Sequence, residues 1–345
     1  MAITKLSIQD FLDLSKKGHT IIDVRSPGEY KHAHIPGAQS LPLFSDEERK
    51  VVGTLYKQES REKAIKAGLD FFGPKMKTMV EEAERITETT APQDKIILVY
   101  CWRGGMRSAG VAWLLDLYGF KVYTLVGGYK KFRKYVLDSF KIDFPFRILG
   151  GYTGSGKTEL LYALREKGET MVDLEGIAKH KGSAFGNIGM PEQPGQEMFE
   201  NLLSKELLAV QHQPCIWLED ESQRIGLVNL PHDLWNTMRR SPLYFLDIPF
   251  DERLKHIVPE YGVLEQEKLL DAIERITQKL GHQNAKLASQ FLTEGNVTES
   301  FRILLAYYDK FYAKALKGRD GLDKLLQNII CETVCKENAA LVLKK

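Results

Sequence analysis

The 345-residue sequence is poor in cysteine: Cys101, Cys215, Cys331 and Cys335 are too few and too scattered for a disulfide scaffold. No apolar run approaches the ~18 residues that a membrane span needs. There is no low-complexity segment and no repeat period. Neither sign of charge is in excess: 48 Lys and Arg stand against 46 Asp and Glu, a formal net charge of +2. Net charge therefore neither demands nor excludes a nucleic acid partner, and any basic surface has to be local. The opening MAITKLSIQDFLDLSKKG sets Asp10 and Asp13 among its apolar residues and has no small-residue cleavage site, which argues against a signal peptide. Apolar residues at 43% and charged residues at 27% are the composition of a globular chain, not of a disordered or fibrous one. The expectation is a soluble, cytoplasmic protein of about two domains.

Patterning divides the chain in two. Ser7 with Asp10 three residues on opens a helix that Gly18 ends. Thr20–Val24 reads as a strand leading into the turn residues Ser26-Pro27-Gly28, and residues 56–90 as helical. Lys95–Tyr100 (KIILVY) is a continuous apolar run, the mark of a strand buried on both faces. A helix from Arg107 to Tyr118 and a strand from Val122 to Leu125 complete an α/β domain over residues 1–130. In residues 131–145 and their flanks, six positive charges (Lys130, Lys131, Arg133, Lys134, Lys141, Arg147) face two negative ones, with Phe132, Tyr135 and Phe140 interleaved. This reads as a basic linker. A second α/β domain, 146–345, follows, with strands expected at Phe146–Leu149, Thr170–Asp173, Cys215–Leu218 and Leu243–Ile248. Everything after about residue 252 reads as helical.

Gly151-Tyr-Thr-Gly154-Ser155-Gly156-Lys157-Thr158 fits G-x-x-x-x-G-K-[ST] between a strand and a helix, the context that gives the motif meaning. Its backbone N–H groups and the helix N-terminus can cradle phosphate. Lys157 adds a full positive charge, and the Thr158 hydroxyl is a candidate Mg²⁺ ligand. Such loops usually hold a nucleoside triphosphate, but the physics requires only a di- or triphosphate. A second acidic element follows an apolar strand at Glu219-Asp220-Glu221. Glu219, Asp220 and, more weakly, Asp173 are candidate Mg²⁺ or phosphate-site residues, joined by Arg224 as a neutralising charge or as a partner of these carboxylates.

Cys101 follows directly on the KIILVY strand and precedes a helix. Backbone N–H groups, the helix N-terminus, Arg103 and Arg107 would lower its thiol pKa from ~8.5 and favour a nucleophilic thiolate. Cys215 reads as core packing. Cys331 and Cys335 have the i, i+4 spacing of one helix face, without the further ligands of a zinc site.

These residues carry a family resemblance. Residues 20–43 (TIIDVRSPGEYKHAHIPGAQSLPL), Cys101–Ser108 and Val126-Gly127-Gly128-Tyr129 resemble a rhodanese domain, although Arg107 stands six residues after the cysteine where the usual loop has five. The wider loop also matches the Cys-x5-Arg spacing of cysteine phosphatases. A rhodanese domain followed by a Walker loop is similar to the tRNA 2-selenouridine synthase family. The similarity extends through Gly53–Gln58, His180–Ser183, Gln193–Gln196 and Glu219–Ser222.

The resemblance implies replacement of the sulfur of a wobble 2-thiouridine by selenium from selenophosphate, by way of S-geranylation with geranyl diphosphate. These two compounds would be substrates. Mg²⁺ is a candidate ion, no tightly bound cofactor is expected, and tRNA and a selenophosphate-supplying enzyme are the expected partners. Lys130, Lys131, Arg133, Lys134, His180 and Lys181 are the candidate RNA-binding residues, with the interleaved aromatics available to stack on an unpaired base. Arg239-Arg240 and the Lys310–Arg319 run are weaker candidates of the same kind. Two other readings stay open: a sulfurtransferase fused to an ATP- or GTP-using kinase or ATPase, and a cysteine phosphatase with a regulatory module.

Overall fold

The computed structural model describes residues 3–90 and 95–345, and the chain forms two compact units, Met1–Ser139 and Phe140–Lys345. The first unit runs β1 (Thr4–Leu6), α1 (Ile8–Lys16), β2 (Thr20–Asp23), α2 (Pro27–His32), β3 (Gln39–Ser40), α3 (Asp46–Gln58), α4 (Arg61–Phe72), α5 (Met76–Thr90), β4 (Ile96–Tyr100), α6 (Met106–Tyr118), β5 (Lys121–Leu125) and α7 (Gly128–Ser139). Its sheet is parallel in the order β1-β5-β4-β2-β3. β4, the apolar run, lies at the centre, flanked on both sides and buried at Ile97, Leu98, Val99 and Tyr100, as a strand covered on both faces must be. Local signals set the helix ends. Ser7 accepts the Asp10 N–H at the start of α1, and Gly119, at φ 117°, ends α6.

The second unit runs β6 (Phe146–Gly151), α8 (Lys157–Glu166), α9 (Leu174–Ala178), α10 (Gln196–Ala209), β7 (Ile216–Glu219), β8 (Arg224–Ile225), β9 (Val228–Asn229), α11 (His232–Arg240), β10 (Leu243–Asp247), α12 (Phe250–Gly262), α13 (Gln266–Leu280), α14 (His282–Thr293), α15 (Val297–Lys317), α16 (Leu322–Leu325), β11 (Leu326–Ile330) and α17 (Asn338–Leu343). Its main sheet is parallel in the order β11-β10-β6-β7, and β8 and β9 form a small antiparallel hairpin. Helices α13 to α15 build a separate apolar cluster around Leu269, Ile273, Ile276, Leu292, Phe301 and Leu305.

The structure corrects four readings. The tail is not wholly helical: β11 adds an edge strand beside β10, in register from Leu243↔Leu326 to Asp247↔Ile330. Thr170–Asp173 makes a single bridge, Met171↔Trp217, because Asp173 instead caps α9 by accepting the Gly176 N–H. Cys331 and Cys335 follow β11 in irregular chain and share no helix face. The stretch read as a basic linker is mostly α7, a helix of the first unit, and the two units divide between Ser139 and Phe140. Of its interleaved aromatics, Phe132 and Phe140 are buried and not available to stack on a base, whereas Tyr135 is half-buried.

Candidate active site

Each unit places its candidate residues at the carboxyl end of a central parallel strand, where loops leave the sheet. In the first unit β4 delivers Cys101, which is 3% exposed, with its Sγ 3.2 Å from the Ser108 Oγ. The loop is held from below by a buried polar network. Arg25 pairs with Asp23 at 2.6 Å, donates to the Ala33 carbonyl at 2.7 Å and lies 3.9 Å over the Tyr129 ring. The Tyr100 hydroxyl donates to Asp23 at 2.7 Å and accepts the Ile35 N–H. Buried charge of this kind is tolerable only because each member is paired. From above, the Tyr129 N–H donates to the Cys101 carbonyl and the Lys130 N–H to that of Trp102. Gly128, at φ 58°, sits so close that a Cβ there would overlap the Cys101 carbonyl oxygen, which is why this contact requires glycine.

The two arginines of the loop differ. Arg103 is exposed. Arg107 is tied to Glu29 at 2.7 Å, and this pair, working against the effect of burial, holds Glu29 below the usual carboxylate range. Lys130, Lys131 and Lys134 are exposed on α7, and Arg133 is half-buried.

In the second unit the phosphate loop runs from β6 into α8, with Gly154 and Gly156 at φ 81° and 66°, turned as only glycine does readily. The Ser155 hydroxyl donates to the Tyr152 carbonyl at 2.6 Å, and the Lys157 ammonium folds back to the Gly151 carbonyl at 3.3 Å. Thr158 Oγ1 donates to Glu175 at 3.4 Å. The loop opens onto a cavity of about 990 Å³, lined also by carboxylates from α9 and the end of β7 and by side chains of α15.

The carboxylates that gather there are not the set expected. Glu175, Glu219 and Glu221 bring one oxygen each within 4.8 Å of one another. Glu219 is 1% exposed and its Oε1 has no hydrogen-bond partner. Burial first, then mutual repulsion, pushes Glu175 and Glu219 up to about 8 and Glu221 to about 7, with Lys157 as the opposing charge. Three carboxylates with an orphaned buried oxygen among them fit a hard divalent cation such as Mg²⁺.

Asp220 turns away from this group. It accepts from the Tyr312 hydroxyl at 2.6 Å and from Arg319 at 3.2 Å. Asp173 serves as the α9 cap and accepts from Tyr162. Arg224 is exposed on the β8–β9 hairpin and donates to the Gly226 carbonyl, so it neither reaches the phosphate loop nor pairs with the carboxylates.

Glu175 was missed because it sits on a five-residue helix outside any motif. Glu221 stood in the acidic motif without a role assigned to it. The pointer to both was the His180–Ser183 loop, where Gly182 packs directly on the Glu221 carboxylate with Glu175 beside it. His180 is only 7% exposed and its basicity is lowered by burial and by Arg275, while Lys181 is paired with Glu260. This loop therefore supports the carboxylates and is not a free basic surface. Arg319, expected among solvated charges, is likewise buried.

Comparison with known proteins covers both units. Residues 7–135 match the rhodanese-like domain, and residues 144–327 match the family described as tRNA 2-selenouridine synthase AAA domain. The chain is 34% identical over 347 residues to a tRNA 2-selenouridine synthase of Marinobacter nauticus, covering 90% of this chain and 92% of that one. It is 38% identical over 257 residues to one of Serratia proteamaculans, covering 73% of this chain and 67% of that one. A third, of Cupriavidus pinatubonensis, is 33% identical over 343 residues, with 88% and 90% covered.

Proposed function

The chain belongs to the tRNA 2-selenouridine synthase family, and on that premise we propose that its two units divide a two-step exchange of sulfur for selenium on a wobble 2-thiouridine of tRNA. The thiocarbonyl carbon is a poor site for substitution while sulfur remains doubly bonded. Alkylating the sulfur turns it into a thiolate leaving group.

In the first step the sulfur attacks C1 of geranyl diphosphate, the C1–O bond breaks, pyrophosphate leaves and the N3 proton is released. The phosphate loop would hold the diphosphate, with Lys157 taking up charge as the bond breaks. A divalent cation on Glu175, Glu219 and Glu221 would supply further charge neutralisation. In the second step the selenium of selenophosphate adds at C2, geranylthiolate leaves, and water cleaves the Se–P bond to give the selenouridine and phosphate. The Cys101 loop would receive the selenium donor, with Arg103 exposed on that loop and Ser108 beside the sulfur. Lys130, Lys131 and Lys134 on α7 would meet RNA phosphates.

The observation that supports this reading most is the separation of the cysteine loop and the phosphate loop into units that each have their own sheet and core. The test is product analysis by nucleoside mass spectrometry after incubating 2-thiouridine tRNA with geranyl diphosphate and selenophosphate. Geranylated and then selenated nucleoside is expected. Selenation with no dependence on geranyl diphosphate would refute the first step, and sustained ATP or GTP hydrolysis in its place would favour a nucleotide-driven sulfurtransferase.

A further inference from the structure

The cavity beside the phosphate loop is larger and more apolar than a diphosphate requires. Its roughly 990 Å³ lie near the top of the range of about 300–1,000 Å³ typical of sites that engulf a whole small molecule. One wall is a face of α15. Tyr307, Phe311 and Ala315 recur there every fourth residue, with Leu316 adjacent, and all four line the cavity. The Tyr307 and Phe311 rings lie 4.7 Å apart, and Phe311 is 46% exposed even though it faces a cavity.

The wall has area but little free polarity. Phe311, Ala315 and Leu316 carry no polar side-chain atom. The neighbouring Tyr308 hydroxyl already accepts the Ala184 N–H, and the Tyr312 hydroxyl is engaged by both Gly151 and Asp220. Of the four wall residues only Tyr307 brings a polar side-chain group, its hydroxyl, so most of this face cannot read the edge of a base. It suits a hydrocarbon body attached to the anion at Lys157.

The wall is also fixed in place. Tyr312 accepts the Gly151 N–H at 3.2 Å, so α15 is bonded to the first residue of the phosphate loop. One turn earlier, Asp309 takes both guanidinium nitrogens of buried Arg253 at 2.8 and 2.9 Å, and Arg253 also donates to the Thr153 carbonyl within the loop. These ties set the distance between anion site and apolar face, as a ligand of fixed length demands.

We infer that the α15 face formed by Tyr307, Phe311, Ala315 and Leu316 binds the hydrocarbon chain of a diphosphate ester whose diphosphate occupies the phosphate loop, which makes the helical tail part of the substrate site. This rests on the reading above that the loop holds a diphosphate and not a nucleoside triphosphate.

The test is equilibrium binding to the full chain by calorimetry, with inorganic pyrophosphate, geranyl diphosphate and GTP as probes, for wild type, Phe311→Ala and Phe311→Leu. Phe311→Ala should weaken geranyl diphosphate by about tenfold or more while pyrophosphate stays within about twofold, because only the chain loses apolar contact. Phe311→Leu should recover most of the loss. If Phe311→Ala weakens both diphosphates alike, or neither, the wall is structural and the inference fails, while binding of geranyl diphosphate by wild type keeps the underlying reading intact. If wild type binds GTP more tightly than geranyl diphosphate, the reading of the loop itself fails, and the inference with it.

Discussion

At the scale of single residues, the cluster of Glu175, Glu219 and Glu221 should make the stability of the second unit depend on pH. Their folded-state values near 7 to 8 lie above the ordinary 4.5, so each binds a proton more strongly in the folded chain than in the unfolded one. Stability from these groups is therefore fully present below about pH 4.5 and is lost as pH rises through about 8. The thermal midpoint of chelator-treated protein should fall between pH 6 and 8.5, and Glu219→Gln should flatten that fall. An equal slope in both proteins would show that the cluster does not control it.

Lys157 is the cation facing these carboxylates. Lys157→Ala should abolish formation of geranylated tRNA, a loss on the order of a hundredfold or more, because the leaving pyrophosphate loses its charge partner. Selenation of tRNA supplied already geranylated should survive that substitution, as read by nucleoside mass spectrometry.

The sequence placed Cys101, Lys157 and Thr158 because each stands in a short contiguous motif whose spacing is itself the geometry. Glu175 was not legible in that way. It reaches Glu219 and Glu221 only because α9 folds back over the end of β7, and no local pattern encodes that approach. Asp220 looked interchangeable with its neighbours on paper. Alternation along the chain turns it to the other side, where Tyr312 and Arg319 claim it.

At the scale of elements, α7 and α15 bear on function differently. α7 keeps Tyr129, Phe132 and Val136 inside and leaves Lys130, Lys131 and Lys134 exposed. Reversing these three charges should lower the salt dependence of tRNA binding by about one unit of slope per lost phosphate contact and leave the first unit folded. An unchanged slope would move the RNA surface elsewhere. α15 is held by Asp309 on Arg253, an arginine only 3% exposed. Asp309→Ala leaves that guanidinium buried without its partner and should destabilise the second unit by roughly 3–5 kcal/mol in urea unfolding.

The elements legible in advance were those whose environment leaves a continuous trace. β4 and the Leu243–Leu246 part of β10 read as unbroken apolar runs, and β6 is interrupted only at Arg147. β11 is an edge strand that buries only Ile329 fully and exposes Ile330, so its sequence carries neither a run nor an alternation, and it follows a long helical segment. α7 was mistaken for a linker because its charge is conspicuous and its aromatics recur at helical spacing toward a core that the sequence does not display.

At the scale of the whole molecule, the chain holds two units, each a parallel sheet with a candidate site loop at the carboxyl end of a central strand. Among the described residues no helix is long and apolar enough to cross a membrane. The central claim is that the cysteine unit and the phosphate-loop unit carry separable steps. If the alkylated tRNA is released between them, a mixture of Cys101→Ala and Lys157→Ala proteins should make selenouridine that neither makes alone.

The most direct measurement is mass spectrometry of the wobble nucleoside after incubating 2-thiouridine tRNA, geranyl diphosphate and selenophosphate with Cys101→Ala protein shown to be folded. Separable steps predict that S-geranylated 2-thiouridine accumulates and 2-selenouridine is absent. Loss of both products would contradict the division and mean that Cys101 serves the alkylation as well, whereas full selenation would show that the cysteine carries no part of the exchange.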